Sequence, residues 1–82
     1  MKLEKGQIVK SKAGHDKGDL LMIADFDENR VLLVDGKQRK LQSPKCKSIK
    51  HIEATEFKVD INEVNTDRKL KKLLNKIANP GG

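Results

Sequence analysis

The side chains of this chain best suited to chemistry are its cations, and the chemistry they suit is neutralisation of phosphate. Lys10, Lys12, His15 and Lys17 fall in one short stretch punctuated by Gly14 and Gly18. Lys37, Arg39, Lys40, Lys45, Lys47, Lys50 and His51 fall in a second, and Lys37–His51 contains no acid. By contrast, Asp25–Asp35 carries Asp25, Asp27, Glu28 and Asp35 with only Arg30 in reply. Over the whole chain 18 basic residues face 12 acidic ones, a net charge of +6. A chain that needs charge only for solubility intersperses the signs. Segregation of this kind is the electrostatic footprint of a polyanion binder.

A charge run is also what an ordinary solvated face looks like, so the expected geometry matters. Lys10 and Lys12 share one side of a strand, and the loop adds His15 and Lys17 at its end. Lys37 and Arg39 alternate onto one face, and Lys45 and Lys47 follow on a tight turn that splays them toward neighbouring phosphates. Contacts of this type position a protein without reading sequence. His51 has two readings, a contact to an unpaired base or a plain surface histidine of a strand.

Other chemistry is poorly provided for. Two separated histidines and one cysteine give no CxxC or HxxxH spacing, so no metal site is expected. Without a nucleophile–base pair or a phosphate loop, catalytic residues and cofactors are expected to be absent too. Cys46 between two lysines reads more readily as a small buried residue than as a reactive thiol. With no Trp or Tyr and only Phe26 and Phe57, neither an aromatic groove for polyproline nor a platform of stacked bases can be built. The lone cysteine excludes an intrachain disulfide. The opening MKLEKGQ lacks the apolar core of a signal peptide. The run Leu20–Ala24 is far short of the ~20 apolar residues that span a bilayer. A soluble, cytoplasmic protein without a membrane partner is the expectation.

Elements must hold these groups in place. Eighty-two residues make one small domain with a small core. Gln7–Ala13 reads as a strand with Ile8 or Val9 inward. Gly14–Gly18 is a loop, in which Gly18 supplies φ > 0 for the turn, so that a side chain there is expected to distort the fold. Asp19–Phe26 carries Leu20, Met22, Ala24 and Phe26 on one alternation face and Leu21 and Ile23 on the other, a central strand covered on both sides. Asp27–Arg30 is a hairpin loop and Val31–Val34 the next strand. Asp35-Gly36 predicts a type I′ turn into a returning strand, Lys37–Leu41. Ser43-Pro44 predicts a 3₁₀ turn over Ser43–Ser48, and Ile49–Ala54 a last short strand.

The fold class read from this spacing is mainly β, a small five-stranded barrel. Residues 1–55 form the barrel and 56–82 an extended segment, Phe57–Ile61, followed by a helix. Thr66 or Asn65 caps that helix, and Asn79-Pro80-Gly81 stops it. Its stripe of Leu70, Leu73, Leu74 and Ile77 has three readings: packing on the barrel, lying on an anionic membrane, or filling a partner's groove.

The run Val9–Gly18, the apolar residues after it and Asn29–Gly36 together resemble a KOW motif. The eleventh residue counted from Ile8 is Gly18, where that motif has its least variable glycine. The stretch is similar to large-subunit ribosomal proteins of archaea and eukaryotes, and closer to small bacterial KOW-domain RNA-binding proteins of that type. The likeness covers Gly6–Ala54 and includes a basic segment like Pro44–Lys47 and a histidine like His51. It implies an SH3-like barrel that contacts ribosomal or other structured RNA, and possible ribosomal protein neighbours. The expected function is a non-catalytic, ribosome-associated RNA-binding module, a ribonucleoprotein component of translation. The alternative is a protein-interaction module of the translation or transcription machinery. Oligomeric state is not legible.

Overall fold

A computed structural model describes residues 3–79. Five strands form one antiparallel sheet: β1 (Gln7–Ser11), β2 (Leu20–Phe26), β3 (Arg30–Val34), β4 (Lys45–Ser48) and β5 (Ile52–Lys58). A 3₁₀ turn, Ile49–His51, joins the last two, and one helix follows, α1 (Asp67–Ala78). The sheet order β4-β3-β2-β1-β5 puts β2 at its centre. It curls into a small barrel-like shape, the mainly β fold with a C-terminal helix expected from the sequence.

The two-sided apolar pattern of β2 has a direct structural cause. Leu21 and Ile23 join Val9, Val31, Leu33 and Ile52 in the interior of the curled sheet. Met22 joins Ile8, Val34, Val64, Leu70 and Leu74 in a second core between the sheet and α1. Ile8 and Val9 are therefore both inward, each toward a different core. A one-residue slip in the β2–β3 register between Ile23 and Asp25 makes Ala24 a bulge, which increases local twist and helps the sheet curl.

Thr66 caps α1 by accepting from the Lys69 N–H at 3.2 Å, and Asn79 ends it. Pro80 and Gly81, expected to stop it, lie outside the described residues. Burying Leu70 and Leu74 stabilises the fold by roughly 1.5–3 kcal/mol each, a large part of what a small domain has in total. Packing is thus the reading of the Leu stripe that holds. The expected division at 55/56 falls inside β5, and α1 shares a core with β2, so barrel and tail are one unit.

Three local expectations are corrected. Lys37–Leu41 is not a strand: residues 35–44 form a loop, because the Asp35 carboxylate accepts the N–H groups of Lys37 and Arg39 at 2.8 Å and curls the chain. Ser43–Ser48 is not a 3₁₀ turn; Lys45–Ser48 is β4, and the 3₁₀ turn takes the first three residues of the expected strand Ile49–Ala54. Of the alternating Phe57, Val59 and Ile61, only Val59 packs, since β5 ends at Lys58 and Asp60 starts a turn by accepting the N–H groups of Asn62 and Glu63.

Gly36 and Gly18 both have positive φ, +75° and +91°, but for different reasons. A Cβ at Gly36 would collide with the carbonyl oxygen of Asp67, so this glycine lets the loop lie directly against the first turn of α1. A Cβ at Gly18 meets no heavy atom within 4 Å, so a side chain there strains only the backbone. Gly36→Ala is therefore expected to cost about 3 kcal/mol and Gly18→Ala only about 1 kcal/mol. Urea unfolding of the two variants checks this, and equal costs would contradict the close approach at Gly36.

Candidate nucleic-acid interface

The antiparallel pairing sets where the basic segments lie. β2 begins and β3 ends at the same end of the sheet, with Met22 opposite Val34. The β1–β2 loop (12–19) and the β3–β4 loop (35–44) are therefore neighbours, and they line a common cleft with α1. The 3₁₀ turn closes onto the first of these loops through the Lys12 N–H, which donates to the His51 carbonyl at 2.8 Å. Lys12, His15, Lys17, Lys37, Lys40, Lys50 and His51 are exposed. Arg39 is half-buried in the curl of its loop, where its carbonyl accepts the N–H groups of Asp35 and Gly36. Lys10 stands apart on the helix-side face of β1, opposite Glu53 of β5.

Lys47 does not serve the surface. It pairs across from Val31, whose side chain lies in the barrel interior, so Lys47 points inward too. Its ammonium donates to Asp16 Oδ1 at 2.7 Å, Ser11 Oγ at 2.6 Å and the Ala13 carbonyl at 2.8 Å. Three N–H protons thus meet three acceptors, the condition under which a buried lysine can stay charged. Lys45 is half-buried beside it, with Nζ 3.8 Å from Asp16 Oδ2, an oxygen with no hydrogen bond of its own. The tight turn expected to splay Lys45 and Lys47 outward is instead a strand that turns both toward one acid. Cys46 takes the outward face of β4 as a result, exposed rather than buried, with the Arg30 guanidinium 3.9 Å from Sγ.

The acids of Asp25–Asp35 form no ion pair with the cations of the basic loops. Asp27 accepts the N–H groups of Asn29 and Arg30 in the hairpin, and these hold its carboxyl below the ordinary range. Asp25 pairs with Lys5, and Asp35 serves its own loop. Among the described residues, Lys10, Lys12, Lys17, Lys37, Arg39, Lys40 and Lys50 make no ion pair with a carboxylate.

Asp16 was absent from the sequence-derived site. A single acid between His15 and Lys17 was its only trace. Lys71 of α1, which shares a cleft with Lys37, is legible in the sequence only as one cation flanking the basic face of the helix, with Lys69, Lys72 and Lys76. Among the described residues, no group of three or more His, Cys, Asp or Glu is placed to hold a metal ion, and no helix is long and apolar enough to cross a membrane. No protein-family model matches the chain, and no curated protein matches it significantly.

Burial raises the Asp16 carboxyl, but hydrogen bonds from Lys47 and Ser11 and the charges of Lys47 and Lys45 outweigh it and hold the group below its ordinary 3.8. A depressed folded value means that the pair's contribution is complete above that pH and is lost as pH falls through the lower folded value. Lys47→Met leaves Asp16 buried with only Ser11 and the more distant Lys45 beside it and is expected to cost about 3 kcal/mol at neutral pH. Adding Asp16→Asn should recover a large part of this. Denaturant titrations should show the Lys47→Met deficit shrinking as pH falls through the carboxylate range; a deficit unchanged by acid would contradict the ion pair.

Proposed function

We propose that the protein is a non-catalytic RNA-binding module that contacts structured RNA through phosphates, associated with the ribosome or a related ribonucleoprotein. The observation that carries the proposal is the state of the cations at one end of the sheet. Lys12, Lys17, Lys37 and Lys40 come from two adjacent loops, are exposed, and make no ion pair with a carboxylate among the described residues. Of the acids in these two loops, Asp16 is held by Lys47 and Asp35 by backbone N–H groups, which leaves Asp19 as the one exposed carboxylate among the lysines. A surface so arranged attracts a polyanion and has little to offer a neutral partner.

Recognition of folded RNA fits better than recognition of a single strand. Phe26 and Phe57 lie on different strands, too few and too scattered for bases to stack on in series. The likeness of Ile8–Asp35 to the KOW motif supports the same reading and is the sole support for the ribosome. The rival, a protein-interaction module, has one observation in its favour: β5 is a sheet edge, and its Phe57 is 44% exposed. Strand edges of this sort dock peptides by adding a strand.

Salt separates the two. If roughly five phosphates are neutralised, affinity for a folded RNA should fall about a hundredfold or more between roughly 50 and 200 mM salt. A gel shift with a ribosomal RNA hairpin measures this. Affinity that stays constant over the range, or that requires a protein partner, overturns the proposal in favour of the rival.

A further inference from the structure

We infer that the cleft between the β1–β2 loop, the β3–β4 loop and α1 takes one ribose–phosphate unit of the bound RNA and discriminates ribose from deoxyribose; this rests on the RNA-binding reading above. The cleft has a volume of about 210 Å³ and is lined by Gly18, Asp19, Asp35, Lys37, Lys71 and Asn75, among others. That is below the ~300–1,000 Å³ of sites for drug-sized ligands and suits a single backbone unit.

Two cations reach this cleft from different elements. Lys37 comes from the loop that Gly36 presses onto α1, and Lys71 from α1 itself, whose amide nitrogen would lie 3.1 Å from a Cβ at Gly36. The Leu41 N–H, donating to Asp67 Oδ1 at 2.7 Å, fixes the loop to the helix a second time. Neither lysine is ion-paired with a carboxylate among the described residues. Gly18 contributes bare backbone, with open space where a side chain would stand, so a ligand can approach closely.

Two carboxylates line the same cleft, and they decide the ligand class. Asp35 is turned into its own loop by the Lys37 and Arg39 N–H groups. Asp19 is exposed, and among the described residues its carboxylate has no hydrogen-bond or ion-pair partner. A free carboxylate repels a bare phosphate, so inorganic phosphate is a poor occupant. Beside a sugar it accepts a hydrogen bond from the 2′-hydroxyl, the group that RNA has and DNA lacks. The lysines therefore hold the phosphate and Asp19 reads the sugar.

Fluorescence anisotropy with an RNA hairpin and the DNA hairpin of the same sequence tests this. The wild-type protein should prefer RNA by about tenfold or more, a ratio in line with one hydrogen bond to a charged group. Lys71→Ala should weaken both and lower the salt slope by about 1. Asp19→Ala should bring the two affinities within about threefold while DNA binding holds or improves. Lys58→Ala, a control on β5 whose lysine pairs with Glu4, should leave the RNA preference unchanged. Lys71 and Asp19 are exposed, so melting curves of their variants should match wild type. Equal wild-type affinity for RNA and DNA, Lys71→Ala behaving like the control, or an RNA preference that survives Asp19→Ala overturns the inference and leaves RNA binding intact. Failure of the wild-type protein to bind either hairpin overturns the proposed function itself.

Discussion

The buried pair of Lys47 and Asp16 is the contact on which the shape of the barrel mouth depends. In hydrogen-bonding terms the sheet is open, since β4 and β5 are its two edges and only a 3₁₀ turn connects them. Lys47 crosses that gap from β4 to Ser11 at the end of β1 and to Asp16 in the loop beyond. A side chain thus does at one end of the barrel what a backbone ladder does between the other strands. Such a pair adds little net stability compared with an apolar filling, but removing one partner leaves an uncompensated buried charge. Its value lies in fixing which way the β1–β2 loop folds.

The same contact shapes the surface. By drawing Lys47, and partly Lys45, toward Asp16, the fold removes two lysines from the rim that their sequence neighbourhood suggested they belonged to. The outward basic surface is then set by the two loops and by α1. The helix is tied to the β3–β4 loop at Gly36 and through Asp67, and its apolar residues are committed to the sheet. Its lysines and arginine are left facing outward as an extension of the loop surface.

The two cores explain how so short a chain is stabilised. A sheet that buried only its inner face would leave Ile8, Met22 and Val34 in water; α1 and Val64 cover them. Because the helix completes a core, the loop lying against its first turn is held as firmly as the helix is. A cleft bounded by this loop and helix is accordingly a better-ordered place for recognition than a free loop tip.

Periodicity made much of this legible. The double-sided run of β2 announced a strand covered on both faces, the Leu spacing of α1 announced its buried side, and Thr66 announced its start, because these patterns repeat at the local periods of strand and helix. The segregation of charge was equally plain. What the tertiary structure alone decided was the fate of individual charges and of short polar segments. β4, Lys-Cys-Lys-Ser, has no apolar residue facing inward and so gave no strand signal. Its inward lysine is satisfied by an acid 31 residues earlier in the chain. Asp35-Gly36 carries the local signature of a hairpin turn, yet its glycine is needed for the approach of a helix that begins at Asp67. Local pattern fixes which way a side chain faces along its own element; whether a charge ends in water or against a counter-ion is fixed by partners distant in sequence.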